Sequence, residues 1–349
     1  MSINQNENTI FICSSLIDIG EILYQIDSKN LSNFKIIVTT DIQCYNLLSS
    51  IYGNKQIIFL SSKLIQSPRN IFFWIKEVMI ILYLKFLFKN HNIKKVFFYA
   101  PMYDLLACFM VLNIFSKSEI RLSKPAFNEG LKEYKSIPQR SLLNYLYSKL
   151  YGFPVIAYDN YRTKIFGDYI PGLPRTIIQS FDLSEFASID EIKSVQKKYL
   201  FRYHTHSIDK SIIILNQSLL DMKIIKNFDL RISEINNAIK PYHVFVKDRY
   251  RNNMREPNTI FGNSSYKKLD AQLPAEYYDF SKCNYIIGIY SSALARISHH
   301  QKISLLNLFD YFDDNDRKQW INYLKNISDD IIYPNSIDEL KTIIVNAKQ

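Results

Sequence analysis

Short, fully apolar runs alternate with segments of helical spacing along this chain. Residues 9–13 (TIFIC) are apolar, Ser14-Ser15 follows, and 16–23 (LIDIGEIL) has the spacing of a helix, which predicts strand, loop, helix. Residues 34–39 (FKIIVT), 56–60 (QIIFL) and 95–99 (KVFFY) predict further buried strands, each followed by a helix-like segment. Strands alternating with helices imply an α/β domain with a mainly parallel sheet. A second series begins at 211–216 (SIIILN) and continues with strands at 243–247 (HVFVK) and 285–289 (YIIGI). Between the two series, 136–203 mixes helix-like runs such as 142–150 with a Pro/Gly patch at 170–174 (IPGLP), the passage from one domain to the next. The expected domains are residues 1–205 and 206–349.

The most apolar segment is 71–88 (IFFWIKEVMIILYLKFLF), interrupted by Lys76, Glu77 and Lys85. A spanning helix needs an uncharged run of about 18 or more residues. Two readings stay open: a long core helix of the first domain, or a helix resting in a membrane interface. No internal repeat or low-complexity tract is visible.

Composition fits this outline. At 349 residues and 47% hydrophobic, the chain is large enough for two cores, and 25 Tyr and 23 Phe against only 8 Gly describe an aromatic-rich globule. Cys13, Cys44, Cys108 and Cys283 are widely spaced and lie in apolar or strand-like stretches, so they are expected as buried thiols of a reducing compartment. The N-terminus lacks the pattern of a secretory signal, which predicts a cytoplasmic protein.

A net charge of +10 favours an anionic partner. The Lys and Arg are scattered, with no zinc-finger or RNP-type motif, so nucleic acid is not the expected one. The pairs His204/His206 and His299/His300 have no evident further ligands and are read as surface or packing residues, with no metal expected. The signatures of P-loop NTPases, dinucleotide oxidoreductases and serine hydrolases are missing.

Ligands of open α/β sheets bind beyond the carboxyl ends of strands, which draws attention to three places. The first is Asn128-Glu129-Gly130, where a carboxylate beside Gly either projects into a cleft or is simply solvated. The second is 247–251 (KDRYR), whose Lys247, Arg249 and Arg251 suit a phosphate or form a solvated basic turn. The third is the strand ending in Ser291 and Ser292, which serve either as an ordinary N-cap or, with the free N–H groups of the first turn, as a phosphate seat.

Taken in order, these places resemble the motifs of bacterial GT-B sialyltransferases, above all the lipooligosaccharide type of glycosyltransferase family 52. That family has a (D/E)(D/E)G motif, a K-P-H-P-R-like motif after a strand, and a serine motif. Pro274-Ala275-Glu276 is similar to the family's P-x-E element, and Glu276 precedes Ser291 by 291 − 276 = 15 positions. The strand before Ser14-Ser15 and the stretch 95–130 also look similar, so the resemblance runs thinly over most of the chain. Arg249 stands where the family's phosphate-binding His is expected, and Asn128 occupies the first acidic position.

The resemblance implies a GT-B fold, two Rossmann-like α/β domains facing across a cleft, with the acceptor in the first domain and a CMP-sugar donor in the second. Glu129 would be the general base. Glu276 would accept from the ribose hydroxyls of CMP, and Ser291 and Ser292 would hold its phosphate together with Lys247, Arg249 and Arg251. Arg249, permanently charged, would neutralise the leaving phosphate but could not act as a general acid near neutral pH. Ser14, Ser15, Asn128 and Gly130 would lie in substrate loops. The implied reaction is an inverting, metal-independent transfer of sialic acid from CMP-sialic acid to a hydroxyl of a cell-surface glycan, acidic or lipid-linked, by a protein at the inner face of the cell membrane. The alternatives are transfer of another CMP-activated nonulosonic acid or of Kdo, and a non-catalytic CMP-sugar binder.

Overall fold

The computed structural model of the chain describes residues 9–39, 41–62, 64, 69–89, 91–98, 104–122, 135–137, 142–159, 170–178, 180–183, 187–199, 209–216, 225–248, 266–270, 273–297, 299, 301–311 and 313–346. It divides into two compact units, Met1–Val195 and Gln196–Gln349.

The first unit alternates strand and helix as the apolar runs predict: β1 (Thr9–Cys13), α1 (Leu16–Ser28), β2 (Phe34–Val38), α2 (Ile42–Tyr52), β3 (Ile57–Phe59), α3 (Ile71–Leu87) and β4 (Lys95–Phe98). There follow α4 (Leu105–Phe109), which continues as a π-turn at Met110–Ile114, and β5 (Glu119–Leu122). Side chains start these helices. Asp41 and Asn70 accept from the backbone N–H groups of Gln43 and Phe72, satisfying donors that the first turn leaves free. The last strand, β9 (Asp182–Leu183), completes a parallel sheet of order β3-β2-β1-β4-β5-β9. A small antiparallel sheet, β6 (Lys135–Ile137), β7 (Ile156–Asp159) and β8 (Ile170–Gly172), is interrupted in sequence by α5 (Leu142–Tyr151).

The second unit repeats the plan with β10 (Ile212–Leu215), β12 (Val244–Lys247), β13 (Lys267–Leu269), β14 (Tyr285–Gly288), β15 (Lys302–Ser304) and β17 (Ile331–Ile332), all parallel, in the order β13-β12-β10-β14-β15-β17. β11 (Ile225–Lys226) and β16 (Asp310–Tyr311) form a separate antiparallel pair. Counting only its own strands, each large sheet has the order 3-2-1-4-5-6, the doubly wound Rossmann arrangement. The chain is therefore an α/β protein of two Rossmann-like units, the domain composition of the GT-B fold.

Both sheets are buried on both faces, which is why their central strands read as unbroken apolar runs. In the first unit Ile10, Ile12, Ile37, Val96 and Phe98 share a core cluster with α4, while Phe11 stacks on Phe97 at 5.0 Å. In the second, Ile212–Leu215, Val244, Phe245 and Ile286 sit at the centre of one cluster. All four cysteines are free and buried, as their spacing predicts. Burial raises the Cys13, Cys44 and Cys108 thiols and pushes Cys283 up to about 12.

α3 differs from the core-helix reading. Only Glu77, Ile81 and Leu84 are buried, while Phe72, Met79 and Phe86 are 74%, 62% and 81% exposed. A helix apolar all round carries no sequence signal for which face turns inward, and here the core takes one narrow stripe. Among the described residues no helix is long and apolar enough to cross a membrane.

Candidate functional site

In a 3-2-1-4-5-6 sheet the chain leaves the first strand in one direction and the fourth in the other, opening a crevice beyond their carboxyl ends. In the second unit those strands are β10 and β14, with β12 on the far side of β10. β10 ends at Asn216, only 2% exposed. Its backbone N–H donates to the carbonyl of Lys247 at 3.0 Å, and its Nδ2 donates to Asp248 Oδ1 at 2.7 Å. Asp248 is buried as well, and its other oxygen meets the exposed Lys268 ammonium at 3.2 Å.

Lys247 closes β12 with its side chain almost fully enclosed, Nζ donating to the Asp248 carbonyl at 2.9 Å. Burial pushes this ammonium down to about 8, against the upward pull of nearby Glu276, Asp270 and Asp248. This edge therefore holds a buried cation that feels three carboxylates. Glu276, half-buried, stands on a single 3-10 turn, Ala275–Tyr277, introduced by the buried Pro274. Proline fixes the approach to this turn through its restricted φ.

β14 runs on through buried Ile289 and Tyr290 to Ser291, the residue that opens α6 (Ser292–Arg296). The Ser304 hydroxyl donates to the Ile289 carbonyl at 2.6 Å and so fixes the segment leading to Ser291. Tyr290 also packs on Trp320, ring centroids 4.5 Å apart. The Glu276 turn packs against α6. Lys247, Glu276 and Ser291 thus belong to one edge of one sheet. Ser292 is the first residue of α6. Arg249 and Arg251 lie outside the described residues.

The corresponding edge of the first unit is arranged differently. The backbone N–H groups of Ser14 and Ser15 both donate to Asp18 Oδ2, at 3.1 and 2.9 Å, so this loop is closed on its own helix. Beyond β2 and β4, the Thr39 hydroxyl donates to Asp104 Oδ2 at 2.5 Å, and Asp104 Oδ1 takes the Ala107 N–H at the start of α4. Burial raises the Asp104 carboxyl above the usual range, and that of Glu77 likewise. Glu77 accepts from the hydroxyls of Tyr151, 2.9 Å, and Ser62, 2.8 Å. Asn128, Glu129 and Gly130 lie outside the described residues.

Sequence reasoning missed Asn216, Asp248, Thr39 and Asp104. The signal for Asn216 and Thr39 was present, since each is the first polar residue after a buried strand. Nothing short of the fold pairs Thr39 with Asp104, 65 positions apart. Of the histidines, His299 is buried, its Nε2 3.1 Å from the Cys283 carbonyl and its Nδ1 accepting from the Gln301 N–H, a packing role. His204, His206 and His300 lie outside the described residues, among which no cluster of metal-binding side chains occurs.

No protein-family model and no curated protein sequence matches this chain. Among solved structures, similar chain traces include an E. coli heptosyltransferase WaaC with ADP, at 9% identity and TM-score 0.46, covering 97% of this chain and 99% of that one. A UDP-GlcNAc 2-epimerase from Neisseria meningitidis bound to UDP-GlcNAc is similar at 13% identity and TM-score 0.47, covering 98% and 99%. A glycosyl transferase family 9 protein from Veillonella parvula is similar at 12% identity and TM-score 0.42, covering 99% of each chain. At these values the likenesses decide nothing about chemistry.

Proposed function

We propose that this chain is a glycosyltransferase that moves sialic acid from a CMP-activated donor to a hydroxyl of a cell-surface glycan. The observation that supports this reading is the grouping of Glu276, Lys247 and Ser291 at the carboxyl edge of the second sheet. The crevice between the first and fourth strands is where mononucleotides bind in folds of this type. A carboxylate there accepts from a ribose diol, and a serine hydroxyl with the free N–H groups after it receives a phosphate. A partly desolvated ammonium near the carboxylate offsets the charge of the nucleotide.

In this proposal Glu129 takes the proton from the acceptor hydroxyl. The acceptor oxygen bonds to the anomeric carbon as the bond from that carbon to the phosphate oxygen breaks, and the electron pair leaves with CMP. The developing charge on CMP is met by Ser291, Ser292 and the cations Arg249 and Arg251. The acidic sugar of the donor and the excess of cations in the chain are opposite in sign and attract.

Calorimetric titration of the full chain with CMP, UDP and ADP, followed by a CMP-release assay with CMP-sialic acid and a panel of galactosides, tests the reading. The expected result is preferential CMP binding, with release accelerated by one acceptor. Failure to bind CMP, together with salt-sensitive binding of DNA or RNA, would sink it.

A further inference from the structure

α3 spans about 25 Å at 1.5 Å per residue, and most of its surface is not used by the fold. Ile71, Phe72, Ile75, Met79, Leu82 and Phe86 are each more than half exposed. α5 is joined to α3 by the stacking of Trp74 on Tyr147 at 5.4 Å and by the Tyr151 hydrogen bond to Glu77. It adds Leu142 and Tyr145, at 74% and 58% exposure. Large rings and branched chains left in water at this density mark a surface that is covered in use.

The charges on these helices identify the cover. Lys76, Lys85 and Lys149 are exposed, and Arg69 and Lys89 flank the ends of α3. The only carboxylate on either helix, Glu77, is buried and held by Ser62 and Tyr151. An apolar face edged by cations, with no exposed acid, is the pattern of a helix lying in a lipid interface: rings enter the acyl boundary while lysine stems lie along it and hold their ammonium groups among anionic headgroups. A second copy of the chain would bring the same lysines toward one another, a like-charge arrangement with no acid to relieve it.

We propose that α3 and α5 dock the first unit on an anionic phospholipid surface. The face does not depend on the proposed donor site, which belongs to the other unit, and it would hold the protein beside lipid-linked molecules whatever reaction it performs.

Co-sedimentation of the full chain with vesicles tests the proposal. Phosphatidylcholine vesicles containing roughly one-third phosphatidylglycerol are expected to bind the chain, and pure phosphatidylcholine vesicles to bind it far more weakly. Binding to the anionic vesicles should fall about fivefold for each of Lys76→Gln and Lys85→Gln, and fall further as salt is raised. Phe72→Ser and Phe86→Ser together should weaken it at least about tenfold. Both rings are exposed, so the double variant should keep the wild-type melting temperature, which separates lost docking from lost folding. Absence of binding to anionic vesicles would overturn the proposal, and so would binding that the double variant leaves intact. A wild-type dimer that the same two substitutions disperse in light scattering would assign the face to a second copy instead.

Discussion

The first sheet ends its central strand in Ser14 and Ser15, whose backbone N–H groups are already taken by Asp18. The second ends its central strand in Asn216, bonded to a buried carboxylate that also meets Lys268. One strand order thus carries two different edges. In the first unit, carboxylates are matched with hydroxyls and backbone donors: Asp104 with Thr39, and Glu77 with Ser62 and Tyr151. In the second, a buried ammonium, Lys247, feels three carboxylates. The fold specifies where a site can form, and the residues just past each strand decide whether a cation is kept there.

The largest test of this difference separates chemistry from donor binding. Glu129→Ala is expected to lower CMP release in the presence of acceptor by about 10² to 10⁴-fold while leaving the calorimetric affinity for CMP at its wild-type value. Equal losses in rate and affinity would mean that Glu129 holds the donor rather than the acceptor proton.

A smaller effect probes the first unit. Glu77→Ala removes the acceptor of two hydroxyls, one of them on the 1%-exposed Tyr151, and should cost about 2 kcal/mol in urea unfolding. Because burial raises this carboxyl, the folded chain keeps its proton to higher pH than the unfolded chain does. The folded state then binds more protons across that window, so this contribution to stability falls as pH rises through it. Glu77→Gln should flatten that dependence, read by hydrogen exchange of amides in the first unit.

Glu276→Gln should weaken CMP about tenfold, checked by the same calorimetry, with no change in the melting temperature. Unchanged affinity would leave the second edge without its ribose acceptor. The smallest effect is a slope. Lys247 titrates at about 8 in the fold against 10.5 ordinarily, so between those values the unfolded chain holds more protons. The Lys247 contribution to stability should rise with pH there by about 1 kcal/mol per unit, read as the difference between wild type and Lys247→Met, because the four buried thiols pull the total the other way.

The central strands were legible because strands covered on both faces are apolar at every position, as in 10–13, 36–38, 212–215 and 285–288. Of the outer strands, only β3 was. Lys267–Leu269 carries two exposed lysines, and Ile331–Ile332 is only two residues long, too short for any period to show. The small antiparallel sheet was missed because α5 separates β6 from β7 and because β8 lies in the Pro/Gly patch itself. Glu276 and Ser291 were singled out as candidates through short motifs of fixed spacing. The Asn216–Asp248 bond depends on strand order, which spacing does not encode. α3 was legible as a helix, whereas its orientation was not, because its residues are apolar on every side.

The two aromatic stacks have a practical consequence. The chain has two tryptophans, Trp74 against Tyr147 in the first unit and Trp320 against Tyr290, one residue from Ser291, in the second. Each proposed surface therefore carries its own intrinsic fluorophore. With Trp320→Phe the remaining emission reports on vesicles, and with Trp74→Phe it reports on nucleotide, so two unlabelled variants let the two surfaces be watched separately in solution.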